Sequence, residues 1–281
     1  MDVRINWLWT VGTHLSPCTS AGTWQVCEIL ISFTIVLPSL QFGQTIPQKS
    51  GQRAPAAVRV LFVGCNSDGQ LGPVAAPRGA EKAVQMDARA AKRLAYYRAE
   101  DAPGVLAPRG WYCFGAYGSN GSFLYVTPQP IKRDDLFSTT WGGFTGPAIQ
   151  ASKTYGGTSG RFEVAKVIAR VFPARKAFVE NVLKQAMAPA SDYPFAPFPK
   201  DSLIFKSDRI VEYQTPPRSE GLGTISRLQA SDYPISGVAI LQGEEPDLLF
   251  LAVRLPPGMN DLALPIIQQV EGDDAPGLPK K

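Results

Sequence analysis

The chain has 281 residues, 44% of them hydrophobic and 19% charged, with 26 Gly, 25 Pro, four Cys and one His. That length can bury one large core or two small ones, and the apolar fraction excludes a chain that is disordered throughout. No apolar run is long enough for a multi-span membrane protein, and a net charge of +4 lacks the dense basic cluster of a nucleic-acid binder.

The strongest apolar run is ILISFTIVLPSL at residues 29–40. It is too short for a membrane span of about 20 residues and suits the core of a secretory signal. Residues 1–44 therefore read as a leader directing export to the periplasm or the extracellular space, with Gly43 at the cleavage position and a flexible linker over 45–57. Two features fit that pattern badly. Arg4 is the one basic side chain ahead of the run, and Gln41 stands where a small residue is preferred. The alternatives are an uncleaved anchor through residues 29–40, the one route to a membrane partner, and a buried element of the fold.

Residues 1–44 hold Arg4, Asp2 and Glu28, so the remainder carries 27 basic and 22 acidic side chains. Lys166, Arg170, Arg175, Lys176 and Lys184 form the nearest thing to a basic stripe, and it reads as a solvated helix face. No nucleic-acid partner is expected. Cys18 and Cys27 fall in the leader, leaving Cys65 and Cys113 to pair across 48 residues or to remain as buried thiols. The chain has no CxxC, so neither zinc nor any other metal or cofactor is expected.

His14 also lies in the leader, so its removal would leave a body without imidazole. That would exclude Ser-His-Asp hydrolysis, Cys-His proteolysis and HExxH metalloproteases. Ser-x-x-Lys is absent, and Tyr117-Gly118-Ser119-Asn120-Gly121 lacks the first Gly of a nucleophile elbow. Gly221-Leu222-Gly223 lacks the third Gly of a dinucleotide fingerprint, and Ala75 replaces the closing Glu of a calcium loop begun at Asn66. Carboxylate catalysis stays open. The doublets Glu100-Asp101, Asp134-Asp135, Glu244-Glu245 and Asp273-Asp274 would point to opposite faces of a strand, however.

Residues 58–63 (VRVLFV) predict a strand, and 87–99 a helix N-capped by Asp87, with Ala91, Leu94 and Ala95 on one face. Aromatic runs at 110–117 and 122–127 flank Ser119-Asn120-Gly121, which predicts a hairpin turning on Asn-Gly. Residues 138–160 combine Gly, Ser and Thr with aromatics and predict long loops. A long helix follows from 159 or 160 to 187, kinked at Pro173. Beyond it come a Pro-rich connector at 189–199, strands at 209–215, 237–242 and 248–255, and a disordered tail over 272–281.

These elements specify α+β: a mainly antiparallel sheet with a long Pro-kinked helix packed on one face. It would form a single domain over 58–271, with a sub-boundary possible near 189–200. The functional expectation is an exported, non-catalytic envelope or secreted protein. It would bind a glycan, peptide or protein through Trp141, Phe144, Tyr155 and Tyr117. A histidine-independent carboxylate hydrolase and a structural accessory of an envelope assembly are the alternatives.

Overall fold

The computed structural model describes residues 57–185 and 189–274. The expected leader with Cys18, Cys27 and His14, the linker up to 56, Met187 and the tail from 275 lie outside the described residues.

The first part of the chain forms β1 (Ala57–Gly64), β2 (Ser67–Gly69), β3 (Glu81–Gln85), α1 (Ala88–Arg93), β4 (Leu94–Arg98) and β5 (Val105–Pro108). The middle forms β6 (Tyr112–Gly118), β7 (Gly121–Thr127), α2 (Arg133–Phe137), β8 (Ala148–Thr154), α3 (Arg161–Val171) and α4 (Lys176–Gln185). The last part forms β9 (Ser202–Phe205), β10 (Ile210–Thr215), β11 (Ile235–Gln242), β12 (Asp247–Arg254) and α5 (Ala263–Asp274). The fold is α+β. A four-stranded sheet runs β3-β1-β4-β5 and an eight-stranded sheet runs β2-β6-β7-β8-β12-β11-β10-β9. All pairings in the large sheet are antiparallel except β2 with β6, and the small sheet is mixed through its parallel β1–β4 pair.

Alternation along β12 shows why both faces are covered. Leu249, Leu251 and Val253 join a core shared with the small sheet and α5, whereas Leu248, Phe250 and Ala252 join the core under α3 and α4. The expected single helical cover on one face is thus half of the arrangement. The expected kinked helix is two helices. Phe172 leaves helical geometry at φ −125°, and a 3₁₀ turn over Pro173–Arg175 leads into α4. Pro173 cannot donate to the helix ladder, so the chain restarts there.

Two further expectations fail for identifiable reasons. Asp87 caps its helix, its Oδ1 accepting from the N–H groups of Arg89 at 2.8 Å and Ala90 at 3.3 Å. The helix stops at Arg93, however, and Leu94–Arg98 becomes a strand beside β1, with Tyr96 opposite Phe62. Sheet pairing of buried Leu94, Tyr96 and Tyr97 overrides the local helical period. The loop region at 138–160 contains β8, a central strand. Two of its polar side chains are buried and paired: Gln150 Oε1 accepts from the Arg227 N–H at 2.8 Å, and Ser152 Oγ donates to the Phe250 carbonyl at 3.4 Å.

The hairpin stands, but its turn is Ser119-Asn120, closed by a Gly118–Gly121 pair. Neither central residue has positive φ. Gly121 instead serves close approach, since a Cβ there would meet the Lys153 carbonyl oxygen at 2.3 Å. At the other end of the chain, α5 occupies a stretch with no expected element and continues through Asp274, so 272–274 are helical. Its Gln269 Oε1 accepts from the Leu106 N–H at 2.8 Å, satisfying a donor on the edge strand β5.

Cys65 and Cys113 form a disulfide, with their Cα atoms 5.5 Å apart. It joins the residue after β1 to β6 and so ties the small sheet to the large one, not two parts of one sheet. Closing 48 residues restricts the unfolded chain. Replacing both cysteines with serine is expected to lower unfolding free energy by about 4 kcal/mol in the chain-entropy limit, measured by urea denaturation.

The Glu271 carboxyl on α5 is pushed up to about 7, first by burial and then by hydrogen bonding to and repulsion from Glu212, with Lys206 opposing. Lys206 Nζ donates to Glu212 at 2.8 Å. A carboxyl raised on folding is protonated in the folded chain while still ionised in the unfolded one, so its stabilisation is complete below the unfolded value and is lost as pH rises through 7. Melting temperature should therefore fall between pH 4.5 and 7. Glu271→Gln should flatten that slope in a calorimetric pH series.

Candidate functional site

On the helical face of the large sheet, α3 packs against β8 and β12. At β7 the cover is instead the irregular chain between α2 and β8. There Phe123 and Tyr125, two residues apart on β7, stack with ring centroids 6.4 Å apart. Phe144 lies 5.5 Å from Tyr125, and Trp141 meets Phe144 edge-on at 4.9 Å. Trp141 and Phe144 stay half-buried, and together with Pro128, Pro130, Ile131 and Leu136 they line a cavity of about 320 Å³.

The Gly-rich sequence explains how the two rings are presented. Phe144 N–H donates to the Arg227 carbonyl at 2.7 Å, and the Phe144 carbonyl accepts from the Gln229 N–H at 2.9 Å. This ladder brings Gly143 against Arg227, where a Cβ would lie 2.3 Å from the carbonyl oxygen, and Gly143 has φ +105°. Both conditions demand glycine. From below, the fully buried Arg254 guanidinium donates to three carbonyls: Gly146 at 2.7 Å, Gln229 at 2.5 Å and Phe144 at 2.5 Å. Burial lowers its pKa to about 10, so it remains cationic near neutral pH.

Tyr125 is buried, and its phenol is raised to about 12, chiefly by desolvation, with Arg227 opposing. The Arg227 guanidinium also stands 5.9 Å from the Trp141 ring centroid. The site is thus an aromatic corner with one cation at its rim and no ionised carboxylate at its centre. Asp135 and Lys132 reach only its outer edge, both exposed.

Of the four residues expected to form one surface, Trp141 and Phe144 come together. Tyr117 and Tyr155 sit toward the opposite end of β7, Tyr117 paired with Ser122 about 10 Å along the strand from Tyr125. The Tyr117 hydroxyl donates to the Gly72 carbonyl at 2.7 Å. Tyr155 lies beside the hairpin turn, its N–H donating to the Asn120 carbonyl at 3.0 Å and its ring 5.9 Å from Lys153 Nζ. Tyr125, read from the sequence as a hairpin residue, takes their place. The i, i+2 spacing of Phe123 and Tyr125 on a strand was the available signal for a shared face.

No protein-family model, curated protein or solved structure matches this chain. Function therefore rests on the site itself.

Arg254→Met should leave the Gly146 and Gln229 carbonyls without this donor, while Phe144 keeps its bond from Gln229. The expected loss is about 2–5 kcal/mol in denaturant unfolding. Arg254→Lys should recover only part, because an ammonium cannot reproduce the fork that spans separate loops.

Proposed function

We propose that this chain is an exported, non-catalytic binding protein that takes an apolar side chain of an extended peptide or protein segment against the Trp141–Phe144 pair. The observation that carries this reading is the pair of half-buried rings, packed edge to face at 4.9 Å and together lining a cavity. A cavity of about 320 Å³ holds one or two residues of a ligand. Its lining of Pro128, Pro130, Ile131 and Leu136 suits aliphatic or proline side chains. A sugar would need hydrogen-bonding groups around its ring edge. Of the two hydroxyls that line the cavity, Thr127 Oγ1 already donates to the Gln129 carbonyl at 2.7 Å, and Thr145 is exposed.

Export is supported by the Cys65–Cys113 disulfide, since such bonds persist in oxidising compartments. Among the described residues no helix is long and apolar enough to cross a membrane. The carboxylate-hydrolase reading has weaker support. Burial raises two carboxyls, Glu271, which is opposed by Glu212, and Asp201, whose oxygens are taken up by the Thr215 hydroxyl at 2.8 Å and the Leu222 N–H at 2.6 Å.

The accessory-domain reading draws on one feature. The edge strand β9 exposes Ile204 and Phe205, at 59% and 57%. Open edges of that kind invite pairing with another chain. Concentration-dependent mass in light scattering, abolished by Ile204→Lys, would favour it.

The principal test is isothermal titration calorimetry with panels of proline- and leucine-bearing peptides and of neutral oligosaccharides. Saturable heat with peptides is expected. Trp141→Ala and Phe144→Ala should each weaken binding about tenfold or more while circular dichroism stays unchanged. Response to oligosaccharides alone, or binding that survives both substitutions, would overturn the peptide reading.

A further inference from the structure

The largest cavity among those described, about 670 Å³, opens on the other face of the large sheet, where α5 and the small sheet meet it. Register explains its chemistry. Along β7, β8 and β11 the inward columns run Val126-Leu124, Ile149-Ala151 and Val238-Ile240, and all six side chains belong to the core. Two residues further along each strand the same columns present Ser122, Lys153 and Gln242, and all three line the cavity. The apolar columns thus end in polar side chains, Ser122 directly opposite Lys153 and Gln242 opposite Asp247.

Two polar atoms among Ser122, Lys153 and Gln242 are buried without partners. Ser122 is 2% exposed and its Oγ bonds to nothing. Gln242 Nε2 donates to the Asp274 carboxylate, while Gln242 Oε1 is buried with no donor facing it. Flipping the amide would set oxygen against carboxylate, so Oε1 is fixed as an idle acceptor. Glu100 and Asp101 come from the β4–β5 connection, and Asp273 and Asp274 from the end of α5. These four carboxylates face three cations, one of which, Lys153, is already paired with Asp247 at 3.2 Å.

We propose that this cleft binds a flexible polyamine, an aliphatic chain bearing two or more ammonium groups. Ammonium donors match the idle acceptors and the carboxylates, and the methylene segments match Leu249, Val270 and Ala102, which also line the cleft. The chain already uses this chemistry on itself. Lys82 Nζ lies 5.1 Å from the Tyr96 ring centroid and 3.6 Å from the Asp273 carboxylate. Tyr96 can lie there because Gly104 has no Cβ, which would fall 2.0 Å from the phenol oxygen. Burial, and then the charge of Asp273, raise that phenol to about 12, so it remains neutral beside a cation.

The test is isothermal titration calorimetry of the full chain with spermidine, independent of the aromatic site. Saturable one-to-one binding is expected, weakened about tenfold by Gln242→Leu and by Asp274→Asn, which corresponds to about 1.4 kcal/mol each. Trp141→Ala should leave it unchanged. Lys82→Ala should tighten it several-fold by removing the internal competitor. Asp274 and Lys82 are partly exposed, so these two variants carry the test if Gln242→Leu fails to fold. Three results would overturn the proposal: no saturable heat, binding to inorganic phosphate in place of spermidine, or equal affinity in wild type and the Asp274→Asn variant at about 150 mM salt. At that ionic strength charges more than about 8 Å apart are screened, so equal affinity would mark mere counterion attraction.

Discussion

Arg254 closes β12 with its side chain wholly inside the protein, and its three hydrogen bonds go to backbone carbonyls. Burying a guanidinium costs several kcal/mol unless its donors are met, so the chain around it must keep those carbonyls in place. Two segments distant in sequence, 144–146 and the stretch around Gln229, are fixed to each other by that requirement. The bonds lie at the end of the sheet, where β8 begins at Ala148 opposite Arg254. One cation therefore sets both the entry of a central strand and the seat of the aromatic loop. Removing it would loosen Trp141 and Phe144 without touching either ring.

The eight-stranded sheet is buried on both faces over its centre, which demands apolar side chains at consecutive positions of β12 and β11. Coverage ends at different places on the two faces. On one, the helices stop at β8 and a Gly-rich loop takes over above β7. On the other, the small sheet and α5 diverge from the strand ends. Each cavity lies at such a boundary, and the two differ in chemistry because different strand positions reach them. Mid-strand residues supply Phe123 and Tyr125, whereas strand ends supply Ser122, Lys153 and Gln242.

Legibility of the fold followed the strength of local signals. β12 was readable because LLFLAV is too continuously apolar for a loop, and the hairpin because two aromatic runs flank a tight turn. The Asp87 cap was readable because capping is a contact between neighbours in sequence. β8 was not, since AIQASKT has little β propensity and four polar residues. Only the Arg227 N–H and the Phe250 carbonyl, both far along the chain, make Gln150 and Ser152 acceptable in a core strand. β4 was misread because LAYYR continues a helical period that tertiary pairing with β1 interrupts. The pairing of Cys65 with Cys113 was readable by elimination, but not the fact that it joins two sheets.

The sites divide in the same way. Trp141 and Phe144 stand three residues apart with two glycines between them, so a turn could be expected to bring their rings together, and it does. Tyr117 and Tyr155 share their composition yet are carried to the far end of β7 by the register of β7 with β8. Nothing in the sequence around Ser122, Lys153 and Gln242 marks them as neighbours. Each lies two residues beyond the last core residue of its column, with Ser122 opposite Lys153 and Gln242 next in its column after Ile240. Composition can reveal a site built within one loop, whereas a site built across strands becomes visible only once the register is known. The charged cleft is of the second kind, which is why its acceptors, idle and buried, carry more weight than the acidic doublets that first drew notice.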